Sequence, residues 1–289
     1  MSNAAGLITV LLTLAGWSSV PLFLRHLAQY VDFWTSNGWR YGFAALLWAP
    51  VVVLGVCRRT IPRSVWAAAV LPAVFNTLGQ AAFAWAHYKI DPGLLTFGLR
   101  TQIAFVAVGA FALFPSERRV IRSPAFLGGV LLVFLGASGT ILLGRTPPRG
   151  ATGFGVALAV ASGALFAAYA LSVRRFMHGV HPVRAFAVIS LYTALGMVAP
   201  MLVMGERGGA VVLGLGAREI ALLLVSAVIG ISLGHVFYYI SIARLGVAVT
   251  SGVIQLQPFL VASASYWLYG ERLTRLQWAS GSVAVAGAA

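Results

Sequence analysis

The chain reads as long apolar runs separated by short breaks that hold most of its charge. Crossing the ~30 Å hydrocarbon core of a bilayer takes roughly 20 helical residues. Runs of about that size recur along the chain at 5–24, 36–56, 65–88, 92–114, 124–143, 151–173, 182–204, 217–241, 246–268 and 274–289. The breaks carry Arg, Pro or Gly, as at 58–62 and 145–150. Backbone polar groups in lipid must be satisfied within their own segment, so loops belong at the two surfaces. A transmembrane β-barrel needs ~10-residue stretches of alternating polarity, and a run such as 217–231 does not alternate. The pattern predicts an all-α integral membrane protein with ten transmembrane helices. The last run is short, ~24 Å at 1.5 Å per residue, and lacks a basic tail.

The two halves resemble each other. Sliding one along the other by 154 residues pairs Phe83 with Phe237, Thr96 with Thr250, Gly98 with Gly252 and Phe105 with Phe259. The same shift pairs Glu117-Arg118 with Glu271-Arg272, in equivalent breaks after the fourth and ninth runs. Apolar matches are common between Leu/Ala-rich segments, so the Glu-Arg pair carries the comparison. Repeats of this kind mark many secondary transporters. Five spans per half is an odd number, so the second half enters the membrane upside down. The expectation is two inverted five-helix repeats, 1–146 and 147–289.

Composition agrees with lipid as the main solvent: 60% of residues are hydrophobic and 9% charged, against about 25% charged in soluble domains. The net charge of +14 comes from 20 basic residues against six acids. In a soluble chain that balance points to nucleic acid. Here nearly all the Arg residues lie in the breaks, as Arg58-Arg59, Arg118-Arg119 and Arg174-Arg175, where no face gathers them into a stripe. They read as topology determinants near headgroups. Up to Arg122, one side collects Arg58, Arg59, Arg63, Arg118, Arg119 and Arg122 and the other Arg25 and Lys89, which favours both termini in the cytoplasm of an inner (plasma) membrane. The N-terminus lacks the basic region of a cleaved signal, so the first run is read as a retained span. Cys57 is the single cysteine, which excludes an internal disulfide and a thiolate metal site.

Certain short motifs carry a resemblance: Gly16-Trp17-Ser18-Ser19, Trp39-Arg40 opening the second run, Phe114-Pro115-Ser116-Glu117-Arg118 and Tyr269-Gly270-Glu271-Arg272. With the five-plus-five repeat, the chain resembles the drug/metabolite transporter superfamily, in particular its EamA-type members, which include YddG-like amino-acid exporters. The resemblance implies a basket in which spans 1–4 and 6–9 surround a central cavity, with spans 5 and 10 outside. It also implies export or exchange of small metabolites, amino acids and drugs by alternating access. Arg40 has no counterpart near Ser190 in the second half, so a role shared by both repeats is not expected of it.

Ionisable groups inside a span are costly and tend to be functional. Arg100 lies at mid-depth of the fourth run, where insertion costs roughly 2.5–3.5 kcal/mol. Either it faces the cavity and draws an anionic group such as a substrate carboxylate, or it is a structural fixture on backbone carbonyls. Thr101 beside it joins the candidate set. Asn76, Gln80, Phe83 and His87 share one helical face. Asn76 and Gln80 are assigned to the cavity and His87, near the helix end, to solvent. In the ninth run, Gln255 and Gln257 precede Pro258, which frees a carbonyl for a ligand or merely kinks the helix. His235 and Tyr239 share a face in the eighth run, with His235 a ligand, a proton carrier or a packed structural group. Trp17, Phe166, Tyr169 and Tyr239 could stack on a planar solute or hold a cation. Trp34, Trp39, Trp66 and Trp278 lie near run ends as interface anchors.

All six acids fall in breaks or at run ends, which removes the usual carboxylate proton relay and an ion-pair site for cations. Membrane-embedded enzymes need paired Asp, Ser/His or a metal-binding His-Glu-x-x-His, and none is present. A channel would need a carbonyl filter or an acidic ring, and neither appears. With Arg100 the one basic residue at mid-depth, a phosphorylated-sugar carrier is disfavoured. The reading is a monomeric transporter of small amphipathic metabolites, aromatic and neutral amino acids foremost, with lipid as its environment and no cofactor or metal.

Overall fold

The computed structural model describes residues 3–90, 92–143, 153–270 and 274–288, and the described residues form helices and turns without strands. Asp91, Glu271-Arg272 and the break at 145–150 lie outside them, so the second Glu-Arg pair has no structural counterpart to compare. The long helices are α1 (Asn3–Leu27), α2 (Phe33–Cys57) and α3 (Arg63–His87). Next come two half-helices, α4 (Pro92–Leu99) and α5 (Gln102–Leu113), the short α6 (Arg118–Ile121) and α7 (Pro124–Leu142). The remainder holds α8 (Gly153–Phe176), α9 (Pro182–Met204), α10 (Ala217–Ser226), α11 (Gly234–Leu245), α12 (Val247–Ile254), α13 (Gln257–Tyr269) and α14 (Arg275–Ala288).

Among the described residues, seven helices are long and apolar enough to cross a membrane, counting α10–α11 as one and α12–α13 as one. An eighth results if Pro115–Ile121 and Pro124–Gly136, bent by 71°, form one span. The run at 92–114 is not among the seven, because it breaks at Arg100-Thr101 into halves of 8 and 12 residues. Large apolar side chains face outward along the helices, among them Leu46, Val108, Leu195 and Val203. In water that surface would drive association; in lipid it is the solvated face.

Packing is pairwise. α2 lies along α9, α3 along α8, α1 along α11, and α7 along α14. In the last pair the helix backbones touch because small residues face each other: a Cβ on Gly139 would come within 2.6 Å of Ser280 Oγ, and Gly136 lies against Ser280 and Ala284. Without a hydrophobic drive between helices in lipid, such close approach is what holds them. None of the described side chains of α7 and α14 lines the central cavity.

Two polar ties close the ends of the bundle. At one face, Asp32 caps α2 by accepting from Thr35 N at 3.0 Å and Thr35 Oγ1 at 2.5 Å, and also accepts from Glu206 N at 2.9 Å. That last bond fastens the turn between α9 and α10, where Arg207, Gly208 and Gly209 are left-handed and Trp39 Nε1 donates to the Gly209 carbonyl at 2.8 Å. At the opposite face, the carboxylate of Glu117 accepts from Val247 N at 3.2 Å and Ala248 N at 2.9 Å. It thereby caps the N-terminus of α12 and faces Arg174 Nε at 3.5 Å. Glu117 belongs to a break by sequence but is buried. Gly246 makes the approach feasible, since its φ is +85° and a Cβ there would press on the carboxylate at 3.1 Å.

Candidate functional site

The two broken helices meet at Arg100. Pro258 has no N–H, so the carbonyl of Ile254, four residues back, loses its helical partner. Arg100 Nη1 donates to that carbonyl at 2.6 Å, Nη2 to Gln257 Oε1 at 2.8 Å and Nε to the Thr96 carbonyl at 3.2 Å. Gln257 Nε2 donates in turn to the Trp17 carbonyl at 2.7 Å. Around both breaks the backbone switches to i→i+3 bonds, Thr101 N to Gly98 O and Gln255 N to Gly252 O, which is how a chain turns a corner without losing donors. The carbonyl freed by Pro258 is thus taken by a protein cation. Arg100 is bonded to the backbone and also lines the cavity.

Beside this crossing lies a cavity walled by aromatic, aliphatic and amide side chains. Seven of the candidates line it: Trp17, Gln80, Arg100, Phe166, Tyr169, His235 and Gln257. Four do not. Asn76 is fully buried, with its amide donating to Thr193 Oγ1 on α9 at 3.2 Å. Thr101 turns its hydroxyl back to the Gly98 carbonyl at 2.9 Å, and Gln255 turns its amide back to the Ser251 carbonyl at 2.9 Å. Tyr239 meets Tyr169 hydroxyl to hydroxyl at 2.5 Å and opens on a second cavity, lined also by Arg174, His178 and Ile242. The tyrosine pair therefore stands as a partition between the two spaces.

The wall also holds residues that the sequence reading left out: Arg40, Phe83, Gln102 and Tyr238. Arg40 is the largest correction. Placing the second run at 36–56 put it near a surface, whereas α2 starts at Phe33 and carries Arg40 two turns inward, 2% exposed. Its Nε donates to Ser226 Oγ at 2.9 Å. Arg100 is therefore not the one buried cation of the site. His87, expected in solvent, is buried against Phe83, with Nδ1–H donating to the Phe83 carbonyl at 2.9 Å.

One wall is an irregular helix. Between α10 and α11 the chain widens into a π-helical stretch, Ala227–Leu233, a local form frequent at functional sites. Trp17 Nε1 donates to the Gly230 carbonyl within it at 2.9 Å. His235 Nδ1–H donates to the Ile231 carbonyl at 3.0 Å, which leaves Nε2 as an acceptor. The imidazole lies parallel to Phe186 at 5.1 Å and edge-on to Trp17 at 5.3 Å. Among the described residues no cluster of His, Cys, Asp or Glu could hold a metal.

Comparison with known proteins agrees with this architecture. No curated protein matches the sequence significantly. A solved crystal structure superposes with a TM-score of 0.77 over 99% of this chain and 96% of that one, at 16% identity, a likeness that shows the fold alone. The model of the EamA-like transporter family matches twice, at residues 4–142 and 153–289. The chain is a multi-pass membrane protein that belongs to the EamA-like transporter family, whose members move small molecules across membranes.

Proposed function

We propose that the protein is a carrier that exports or exchanges small amphipathic metabolites across the inner (plasma) membrane by alternating access, working as a monomer. In this reading the chain crosses ten times, with each pair of half-helices, α4–α5 and α12–α13, making one span. Its halves, 1–146 and 147–289, are inverted repeats with both termini cytoplasmic, close in kind to YddG-like exporters. The pairing of helices supports the inversion: α2 with α9 and α7 with α14 are self-equivalent pairs, and α3 with α8 is the mate of α11 with α1. The Arg100–Ile254 bond joins positions 154 residues apart, the spacing of the repeat itself.

The observation that carries the proposal is the cavity that joins aromatic rings to amide and guanidinium donors, at the crossing of two interrupted helices. Interrupted helices at a repeat interface are where secondary transporters place their substrates. Trp17, Phe166 and Tyr169 offer faces for an apolar body, and the donors suit a carboxylate. Solutes with that pair of features, amino acids with aromatic or branched side chains included, are the class to test. Purified protein in liposomes should show saturable counterflow of at least one such solute, and Arg100→Ala should reduce it roughly tenfold or more, since it removes one charge-assisted anchor and unties two half-helices. Flux that does not saturate, or that is indifferent to solute loaded on the far side, identifies a channel instead.

A further inference from the structure

The charge of the cavity is unbalanced. Arg40 uses Nε on Ser226, while its two terminal nitrogens make no hydrogen bond or ion pair among the described residues, although the side chain is 2% exposed. Nη2 lies over Gly230, 3.6 Å from where a Cβ would stand, so the fork is turned along the cavity wall. Arg100 adds a second guanidinium with three of its five donors engaged. No described carboxylate lines this space. Asp32 is held by the Thr35 and Glu206 N–H groups, Glu117 by α12 and Arg174, and Glu219 faces His26 at 3.8 Å. Glu206 is exposed at the end of the bundle. Gln80 and Gln102 also line the cavity, and their side chains form no hydrogen bond among the described residues. Two guanidinium groups with donors to spare and no described carboxylate beside them form a setting that an anion would complete.

This bears on which amphipathic solute fits, and so rests on the carrier reading above. A zwitterionic amino acid brings a carboxylate for Arg40 but also an ammonium, which would sit near two guanidinia with ring faces and amide oxygens as its partners. A solute with the same body and no positive charge keeps the gain and avoids that repulsion. We propose that the solute is an organic anion of net negative charge, an aromatic or branched body with a carboxylate or phosphoryl group and no fixed cation. Arg40 is the residue that sets this charge preference.

Three probes share a phenyl body and differ in charge: L-phenylalanine, 3-phenylpropionate and phenyl phosphate. Their binding to the purified full chain in detergent is measured by calorimetry at neutral pH, and their counterflow in proteoliposomes against protein-free controls. At least one anion should bind roughly ten- to hundredfold tighter than L-phenylalanine, the range of one charge-assisted hydrogen bond. The tighter of the two anions tells carboxylate from phosphoryl. Arg40→Gln, which can keep a bond to Ser226, should bring the three affinities together, and Arg40→Lys should keep part of the preference. The readout is the ratio between probes, because a variant that only damages the fold weakens all three alike; if Arg40→Gln does not fold, Arg40→Lys and the wild-type ratio carry the test. The inference is overturned if L-phenylalanine binds as tightly as both anions, or if Arg40→Gln leaves the ratio unchanged; the carrier reading survives either result. If no probe binds or moves, the amphipathic-metabolite reading fails first and this inference falls with it.

Discussion

Single residues in this chain do their work by taking up backbone groups that irregular helices leave open. Arg100 occupies the carbonyl that Pro258 frees, Trp17 takes one in the π-helical stretch, and Glu117 receives two N–H groups at the head of α12. Asp32 does the same at the other end, and its carboxyl is held below the ordinary carboxylate range. Burial pushes it up, but N–H groups of Glu206, Thr35 and Trp34 and the Thr35 hydroxyl outweigh that. The sign follows: a carboxyl with a depressed folded-state pKa stabilises the fold fully above its unfolded value of ~3.9, and the contribution is lost as pH falls through the folded value. Thermal unfolding in detergent should therefore shift downward as pH is lowered from 5 to about 3, and Asp32→Asn should lose that component. A variant with the same acid sensitivity as wild type would assign the effect to another group. Asp32 was legible only as a charge in a break. Its cap on α2 is a local pattern, but its bond to Glu206 N joins residues 174 apart and has no local signature.

At the scale of elements, the broken helices decide the site. The second break was readable, because proline removes a donor wherever it stands in a helix. The first was not: residues 98–104 contain no proline, and the break is set by Arg100 reaching across to α12–α13. Pro258→Ala should restore an N–H that competes with Arg100 for the Ile254 carbonyl and straighten α12–α13. The expected result is a folded protein with counterflow reduced at least severalfold and thermal stability close to wild type, since Pro258 stands in the first turn of α13, where a proline costs a helix little. Transport at the wild-type rate would show that the bend is packing alone. Arg40 was not placed in the cavity for a related reason. A helix start misplaced by three residues moves a side chain by most of a turn, so a residue two turns inside was assigned to a surface.

For the whole molecule, two cavities lie on either side of the hydroxyl contact between Tyr169 and Tyr239. If the solute path joins them, that contact parts during each cycle. Replacing either hydroxyl, as in Tyr169→Phe or Tyr239→Phe, removes a hydrogen bond worth ~1 kcal/mol and should change the counterflow rate several times more than the equilibrium affinity. A change confined to affinity would place Tyr169 in solute binding and not at a partition. The double variant should match the singles, because either one already abolishes the bond.

The sequence by itself determined the solvent, the helical class and most element positions, because lipid forces every segment to satisfy its own backbone and so writes each helix as a contiguous run. It also determined the repeat, which the family match at 4–142 and 153–289 reproduces. Tertiary structure alone decided which polar residues share a space. Asn76 and Gln80 stand one helical turn apart on α3, yet one bonds α9 and the other meets the cavity. Spacing along a helix fixes a direction only to within a face some 100° wide, and which neighbour fills that direction depends on contacts between helices far apart in the chain.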